Sequence, residues 1–211
     1  MKEYKLPIGC DVPETIILAD GDFPSHPLAL EWLWQCPYVV SCDGAANTYI
    51  RSGRMPEAIV GDGDSLLPDI KERYASLIHS EAEQETNDLS KAFRFCLSQE
   101  RKRITIMGAT GKREDHTIGN VSLLADYMEQ AEVSMMTDYG IFVPIREDSM
   151  FESYIGQQIS VFNMNSTALS AEGLAYPLSV FTNWWQGTLN EALARHFIIR
   201  TEGKVLVFRV F

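Results

Sequence analysis

Short apolar runs recur along the N-terminal part of the chain and indicate buried strands. They lie at 15–19, 38–42, 58–60, 77–79, 103–107 and 132–137. Apolar positions at helical spacing predict helices between them, at 28–36, 45–52, 68–76, 86–99 and 115–128. Strands that alternate with helices favour a parallel sheet covered on both faces.

The pattern changes after about Gly140, where short β-like runs are interrupted by Gly, Asn and Pro. Glu202-Gly203 is typical of a hairpin turn between two of these runs. The C-terminal part is therefore expected to form a small antiparallel β domain, built as a sandwich. Its predicted strands lie at 140–146, 158–162, 197–201 and 204–211.

The chain of 211 residues has 45% hydrophobic residues and a net charge of −11. Its hydrophobic content is that of a globular protein. An acidic surface repels nucleic-acid phosphates and anionic membranes, so no nucleic acid and no membrane is expected as a partner. An acidic protein needs a cation to bridge it to a polyphosphate, so a cluster of aspartates favours a divalent metal.

The four cysteines, Cys10, Cys36, Cys42 and Cys96, form neither a Cys-x-x-Cys pair nor zinc-type spacing with a histidine. We expect reduced, mostly buried thiols in a cytoplasmic protein. Residues 1–9 lack the long apolar run of a signal peptide, and no stretch approaches the length of a membrane span.

Four motifs with acidic residues or glycines each follow a predicted strand or begin a predicted helix. Ligands of parallel sheets bind at the carboxyl ends of the strands, so motifs at such ends can converge on one crevice. The motifs are Cys42-Asp43-Gly44-Ala45-Ala46-Asn47, Gly61-Asp62-Gly63-Asp64-Ser65, Gln84-Glu85-Thr86-Asn87-Asp88 and Gly108-Ala109-Thr110-Gly111-Lys112-Arg113-Glu114-Asp115-His116.

Taken singly, the acidic motifs also have purely structural explanations. Asp43-Gly44 alone is typical of a turn, and Asp88 alone complements a helix dipole. Asp62 and Asp64 do little for a turn, because neighbouring carboxylates repel each other, but their oxygens suit a hard cation.

The segment 108–112 is either an ordinary strand-to-helix turn or a phosphate cradle in which Lys112 and Arg113 add positive charge. Its spacing is too short for a Walker A loop, and no Ser or Thr follows Lys112. His116 in isolation favours a packed or exposed histidine over a catalyst.

Together, the order and spacing of the motifs resemble the thiamine pyrophosphokinase family. That family carries an Asp-Gly-Gly-Ala-Asn-like segment, a Gly-Asp-x-Asp-Ser segment, a Thr-Asp segment that opens a helix and a Gly-x-x-Gly-x-Arg-x-Asp-His segment. The matching positions are Asp43–Asn47, Gly61–Ser65, Asn87–Asp88 and Gly108–His116, with Asn120 one helical turn later, and further similarity at 173–178 and 187–191.

The resemblance implies an α/β fold of two domains. Residues 1–139 would form a mostly parallel, Rossmann-like sheet with helices on both faces, the catalytic domain that binds ATP and Mg²⁺. Residues 140–211 would form a smaller antiparallel β-sandwich that binds thiamine. The implied activity is that of a cytoplasmic transferase, a thiamine diphosphokinase, which moves pyrophosphate from ATP to the thiamine hydroxyl and releases AMP. A homodimer with the active site at the subunit interface is also implied.

The resemblance also implies roles for individual residues. Asp64 or Asp88 would accept the hydroxyl proton, and Tyr176 would offer its aromatic face to thiamine, with Trp184 and Trp185 as alternatives that otherwise serve packing. The Mg²⁺ ligands would be Asp43, Asp62, Asp64 and Asp88. The residues that bind nucleotide or thiamine would be Asn47, Ser65, Gly108, Gly111, Lys112, Arg113, Asp115, His116, Asn120, Tyr176, Thr188 and Asn190.

The sequence departs from the family pattern at Ala45, Gly63, Asn87 and Leu189. Leu189 stands where the family has a serine thought to touch thiamine, a loss for which Thr188 or Asn190 would have to compensate. Two alternatives therefore stay open. One is a pyrophosphokinase or kinase for a different small alcohol, and the other is a non-catalytic protein that binds nucleotide or thiamine.

Overall fold

The computed structural model describes residues 1–7, 12–81 and 85–211. The chain divides into two compact units. The α/β unit is Gly9–Asp138, and the β unit combines Met1–Ile8 with Tyr139–Phe211. No helix within the described ranges is long and apolar enough to cross a lipid bilayer.

The first strand, β1 (Lys2–Tyr4), belongs to the β unit. A short 3-10 helix at Ala75–Leu77 lies in the α/β unit. The other elements of that unit are β2 (Ile16–Leu18), α1 (Pro27–Gln35), β3 (Val39–Cys42), α2 (Asp43–Arg51), β4 (Ala58–Gly61), α3 (Pro68–Arg73), β5 (Ile78–Ser80), α4 (Asp88–Ser98), β6 (Arg103–Met107), α5 (Glu114–Tyr127) and β7 (Glu132–Met136).

The β unit also contains a short 3-10 helix at Trp184–Gly187. Its remaining strands are β8 (Gly140–Ile145), β9 (Ser149–Glu152), β10 (Gln158–Asn163), β11 (Leu169–Glu172), β12 (Asn190–Glu191), β13 (His196–Thr201) and β14 (Val205–Val210).

The strands of the α/β unit pair in the order β7-β6-β2-β3-β4-β5, and every pairing is parallel. Successive strands step outward from β2 to β5, and the chain then returns to the other side of β2 for β6 and β7. Right-handed crossovers therefore put α1 to α3 on one face and α4 and α5 on the other. The predicted parallel sheet with helices on both faces is confirmed.

The central strands β2, β3 and β4 are buried at every position, as a sheet covered on both faces requires. Ala46, Ile59 and Ile70 pack in one cluster that joins α2, β4 and α3. Phe93 of α4 and Tyr127 of α5 stack with ring centroids 3.9 Å apart. Each large side chain buried in this way stabilises the fold by about 1.5–3 kcal/mol.

The β unit contains two sheets. One has the order β12-β10-β14-β8, and the other has the order β1-β9-β13-β11. The guanidinium of Arg209, on β14, lies 5.2 Å from the ring centroid of Phe151, on β9, so the two sheets pack face to face. The predicted antiparallel β domain is confirmed, although β1 pairs with β9 in parallel.

The hairpin predicted at Glu202-Gly203 is wrong. Strand β13 pairs with β9 and β11, whereas β14 pairs with β8 and β10, so the two strands belong to different sheets. Gly203 has a φ of 121°, which a glycine adopts readily, and the chain passes there from one sheet to the other. The Glu-Gly signal identified the turn but carries no information about which sheet receives the next strand.

Arg209 secures the N-terminal strand within the β unit. Its side chain is only 2% exposed, and its guanidinium donates to the carbonyl oxygens of Glu152 and Lys5, both at 2.9 Å. Burial lowers the pKa of this guanidinium to about 10. The backbone around β1 and β9 is therefore held by one buried cation in addition to the strand pairing.

Asp138, just after β7, fixes the entry to α1. Its carboxylate accepts hydrogen bonds from the backbone N–H groups of Ser25 at 2.8 Å and His26 at 2.9 Å, and from the Ser25 hydroxyl. Burial by itself raises the pKa of Asp138, but these hydrogen bonds outweigh it, so the pKa lies below its ordinary value.

We expect Asp138→Ala to lower the free energy of unfolding by about 1–2 kcal/mol at pH 7, because two backbone donors lose their acceptor. The folded pKa lies below the unfolded pKa of about 3.9, so this contribution is present above that pH and is lost as pH falls through the folded value. Urea unfolding at pH 7 and near pH 3 measures it, with exposed Glu72→Ala as the control. A loss of equal size at both pH values would contradict the assignment.

Candidate active site

A cleft of about 590 Å³ lies in the α/β unit at the carboxyl edge of its sheet. The loops after β2 and β6 form part of it, at the point where the strand order reverses. Parallel sheets bind their ligands at such a point. The predicted site residues that line the cleft are Asp43, Asp62, Ser65, Asp88, Gly111, Lys112, Arg113, His116 and Asn120.

Asp43 connects two of the predicted motifs. It is the first residue of α2 and is only 2% exposed. Its Oδ1 accepts the backbone N–H of Gly44 at 2.6 Å, and its Oδ2 accepts those of Gly63 at 3.1 Å and Ser65 at 3.3 Å. Asp43-Gly44 was predicted to be a turn before a helix that begins at Ala45, but it forms the first turn of that helix. The carboxylate of Asp43 also holds the loop after β4 through its two hydrogen bonds to that loop.

Negative charges meet in the cleft. Burial raises the pKa of the Asp43 carboxyl, and the charge of Asp88 raises it further, against the lowering effect of the N–H groups of Gly44 and Ser65. The nearby Asp62 carboxyl is exposed, and the N–H of Asp64, 3.0 Å away, lowers its pKa. Such mutual repulsion of carboxylates is relieved when a cation binds between them.

The two aspartates of the loop after β4 differ in position. Both side chains are exposed, but Asp62 lines the cleft and Asp64 does not. Gly61 lies so close to Asp43 that an added Cβ would come within 2.9 Å of its Cγ, and Gly63 has a φ of 78°. The loop therefore needs both glycines to approach the Asp43 carboxylate.

Asn47, on the same helix as Asp43, holds the far end of this loop. Its Nδ2 donates to the Ser65 carbonyl oxygen at 2.7 Å, and its Oδ1 accepts the Leu67 N–H at 3.0 Å. Its amide is thus occupied by the protein backbone, and it does not line the cleft.

Asn87 takes the N-cap position of α4, where the family has a threonine. Its Oδ1 accepts the Ser90 N–H at 3.0 Å, and its Nδ2 donates to Asn120 Oδ1 at 3.1 Å. Asn120 in turn donates to the Ala109 carbonyl oxygen at 2.8 Å. This chain of amides ties α4, α5 and the loop after β6 together. Gln84, which belongs to the same motif, lies outside the described residues, as does Cys10.

Lys91 is a site residue that the sequence analysis missed. It lines the cleft although it is only 3% exposed, and its Nζ lies 3.0 Å from Asp88 Oδ1. A lysine near a helix N-terminus is disfavoured by the helix dipole, and its burial costs several kcal/mol unless it is compensated. The only sequence signal was a cation one helical turn after Asp88, which is ambiguous because most lysines at such positions are exposed.

The loop after β6 places two cations at the cleft. Gly108 and Gly111 have φ values of 64° and 80°, and Lys112 has a φ of 55°, which is uncommon for a residue with a Cβ. Arg113 makes a two-point contact with Asp115, at 3.1 and 2.6 Å. The hydrogen bond from Arg113 lowers the pKa of Asp115, which is exposed and lies outside the lining set.

Asp20 and Gly21, after β2, also line the cleft and were missed. Asp20-Gly21-Asp22 follows a buried strand just as Asp43-Gly44 does, so the same rule could have identified it. Lys112 Nζ lies 2.9 Å from Asp20 Oδ1.

The remaining predicted residues lie in the β unit. Asn190 is buried, and its side chain bonds both backbone groups of Tyr176, accepting its N–H at 3.0 Å and donating to its carbonyl oxygen at 2.8 Å. Thr188 donates to the Trp185 carbonyl oxygen. The side chains of Tyr176 and Leu189 are exposed by 64% and 76%. Asn190 therefore positions the Tyr176 loop, and the ring of Tyr176 faces solvent.

The donor set suits a hard cation. Within the described residues, no three His, Cys, Asp or Glu side chains converge closely enough to form a metal cage by themselves. Mg²⁺ does not require one, because it uses one or two carboxylates together with waters and substrate phosphates. The carboxylate oxygens of Asp43, Asp62 and Asp88, which line one cleft, suit this mode of Mg²⁺ coordination.

We expect Asn47→Ala to loosen the loop after β4, because Ser65 and Leu67 each lose a hydrogen bond worth about 1 kcal/mol. Hydrogen exchange of peptides that span 61–67 should become about fivefold faster. Thr48→Ala, an exposed neighbour on α2, is the matched control. Unchanged exchange in Asn47→Ala, or an equal effect in the control, would contradict the role assigned to Asn47.

Comparisons with known proteins agree with this geometry. Residues 30–136 match the family model of the thiamin pyrophosphokinase catalytic domain, and residues 140–208 match that of the thiamin pyrophosphokinase substrate-binding domain. Thiamine pyrophosphokinase 1 of Oryza sativa subsp. japonica is 31% identical in an alignment of 104 residues, and the match covers 44% of this chain and 39% of that protein. Thiamin pyrophosphokinase 1 of Caenorhabditis elegans is 30% identical in an alignment of 118 residues, and the match covers 51% of this chain and 48% of that protein.

The chain thus spans less than half the length of these two curated relatives. The fold is shared with solved structures over almost the whole chain. Thiamine pyrophosphokinase from Bacillus subtilis superimposes with a TM-score of 0.77 at 20% identity, over 93% of this chain and 98% of that one. The yeast thiamin pyrophosphokinase superimposes with a TM-score of 0.80 at 16% identity, over 100% of this chain and 91% of that one. Because the two family models together match more than half of the sequence, the chain belongs to the thiamin pyrophosphokinase family.

Proposed function

We propose that this protein transfers the pyrophosphoryl group of ATP to the hydroxyl group of thiamine, with thiamine diphosphate and AMP as products. The observation that carries the proposal is a cleft lined both by carboxylates of three motifs and by Lys91, Lys112 and Arg113. Phosphoryl-type transfer depends mainly on positioning and on charge stabilisation, and this cleft offers both signs of charge.

Mg²⁺ is part of the proposal. Asp43, Asp62 and Asp88 would hold it, directly or through water, and Asp64 would join them after a movement of its loop. When bound, the ion would neutralise charge on the polyphosphate and align it. In support, burial raises the pKa of the Asp43 carboxyl and the negative charge of Asp88 raises it further, so a cation bound between these two groups would be stabilised.

The loop after β6 would bind the phosphates of ATP. Its left-handed turns at Gly108, Gly111 and Lys112 leave backbone N–H groups near the N-terminus of α5, which is a favourable place for an anion. Arg113 and Lys112 would add charge, and Ser65 would offer a hydroxyl. Asp115, His116 and Asn120 would shape the side of the cleft around the nucleotide.

In the reaction, the thiamine oxygen would form a bond to the β-phosphorus as the bond from that phosphorus to the oxygen of AMP breaks. The proton of the hydroxyl must pass to a base. Asp64 and Asp88 are the two candidates. The lining of the cleft favours Asp88, because Asp64 lies outside it.

The β unit would bind thiamine. Tyr176 presents an exposed ring that would pack on the cationic thiazolium, while Asn190 and Thr188 support the surrounding loops. The proposed catalytic and thiamine-binding domains are residues 1–139 and 140–211, although residues 1–8 belong to the compact β unit. A homodimer and a cytoplasmic location are likewise proposals, the latter in keeping with free thiols at Cys36, Cys42 and Cys96.

A second candidate is a pyrophosphokinase for a different small alcohol. Leu189 favours it, because this position has an exposed apolar side chain at a φ of 61° where the family has a serine. The same metal and nucleotide site would serve both reactions, so only the alcohol distinguishes them.

We expect AMP to be released from ATP only when Mg²⁺ and thiamine are both present, with thiamine diphosphate in equal amount. Chromatography of both products measures this. AMP release with another alcohol but not with thiamine would favour the second candidate. ATP binding without AMP release for any alcohol would leave a non-catalytic nucleotide-binding protein.

We expect Lys91→Met to lower kcat by about 10²–10³-fold, because its buried ammonium would no longer stabilise charge on the transferring group. Lys91→Arg, which keeps the charge, should recover part of the rate. Steady-state kinetics with Mg²⁺ and ATP measure both, and Lys102→Met, at an exposed lysine, is the control. An unchanged kcat in Lys91→Met, with a folded protein by circular dichroism, would remove Lys91 from the mechanism.

A further inference from the structure

The ion pair between Lys112 and Asp20 lies in the cleft at the point where the strand order reverses. Lys112 Nζ lies 2.9 Å from Asp20 Oδ1, and the two side chains are 53% and 46% exposed. One partner follows β6 and the other follows β2, so the pair occupies the part of the crevice where an anionic ligand of the loop would lie.

The loops do not depend on this pair for their contact. The backbone N–H of Gly21 donates to the Gly108 carbonyl oxygen at 2.6 Å, and that of Asp22 donates to the Thr110 carbonyl oxygen at 2.8 Å. Gly21 is so close to the other loop that an added Cβ would lie 2.3 Å from the Thr110 oxygen. Backbone hydrogen bonds and close packing therefore keep the loops together when the ion pair is broken.

On its other side, the Asp20 carboxylate lies close to α2. A Cβ added to Gly44, in the first turn of that helix, would lie 2.3 Å from Asp20 Oδ2. An amide of the same size would fit the same space. Asp20→Asn therefore removes the charge of the side chain without removing its shape.

A half-exposed ion pair contributes little to stability and exchanges partners readily. A polyphosphate carries more negative charge than a carboxylate and attracts Lys112 more strongly. Binding of the polyphosphate must nevertheless displace Asp20 from Lys112, and it brings negative charge close to the Asp20 carboxylate. Both effects weaken the binding of phosphate anions.

From these contacts we infer that Asp20 is an affinity-determining residue, a carboxylate that competes with the phosphate groups of the substrate for Lys112. The inference rests on the proposed function, because it takes Lys112 to be a phosphate ligand. Its consequence is weaker binding of both substrate and anionic product, and so faster release of the product.

The test is isothermal titration calorimetry of ATP and of inorganic pyrophosphate, each with Mg²⁺ at fixed ionic strength. Asp20→Asn should lower Kd for both anions by about two- to fivefold, the range that a surface ion pair supports. In the Lys112→Met background the same substitution should change Kd by less than about twofold, because the competition for the ammonium is gone and only the direct repulsion between Asp20 and the anion remains.

Glu14→Gln is the matched control. It removes one negative charge from the same unit and breaks the exposed pair with Arg103, whose Nη1 lies 2.7 Å from Glu14 Oε1. Neither residue lines the cleft, so Kd for ATP should not change. A decrease in Kd as large as that of Asp20→Asn would show an effect of net charge alone and overturn the inference.

A higher Kd in Asp20→Asn would also overturn it, because Asp20 would then help to bind the ligand. The inference would also be overturned if Asp20→Asn lowered Kd by the same factor in the wild type and in the Lys112→Met background. If the wild type binds ATP and turns it over but Asp20→Asn leaves Kd unchanged, the competition fails and the proposed function stands. If neither anion binds to the wild type or to any variant, the inference about Asp20 and the proposed function are both overturned.

Discussion

The carboxylate of Asp43 is the contact on which the geometry of the cleft depends. It receives one N–H from its own helix and two from the loop after β4, so a single buried group sets both the start of α2 and the path of residues 61–65. Buried carboxylates are costly, and here three hydrogen bonds offset part of the cost. The part that is not offset appears as the raised pKa of Asp43, and it makes the cleft electrostatically receptive to a cation.

The positive charges of the cleft are also compensated by neighbouring groups. Lys91 lies beside Asp88, Lys112 beside Asp20 and Arg113 beside Asp115, so each positive group already has a carboxylate within hydrogen-bonding distance. Paired in this way, they do not turn the cleft into a strong general trap for anions. A ligand with several phosphates and a bound metal would exchange several of these pairs at once, whereas a simple anion would exchange only one.

Much of this was predictable because it follows from periodicity and from motif spacing. The alternation of strands and helices gave the parallel sheet, and motifs at strand ends gave Asp43, Asp62 and Asp88. Lys91 was not predicted as a site residue, because tertiary packing decides whether a lysine is buried and a single sequence does not reveal that packing. The hairpin at Glu202-Gly203 failed for a similar reason, since pairing of β13 and β14 with separate sheets depends on strands distant in sequence. Asn47 and Asn190 were assigned to ligands, yet their amides bond the protein backbone.

The place of β1 in the β unit has a consequence for synthesis on the ribosome. Its residues Lys2–Tyr4 emerge before the α/β unit, but they pair with Ser149, Met150 and Phe151, which are made after that unit, as is Arg209. The α/β unit is an insertion within the β unit, and its own contacts are complete once β7 has emerged. Vectorial folding would therefore finish the inserted unit first, while the N-terminal strand waits for its partners. Because β1 pairs with a strand that is made only after the inserted unit, we expect assembly of the β unit to limit the rate at which the chain matures.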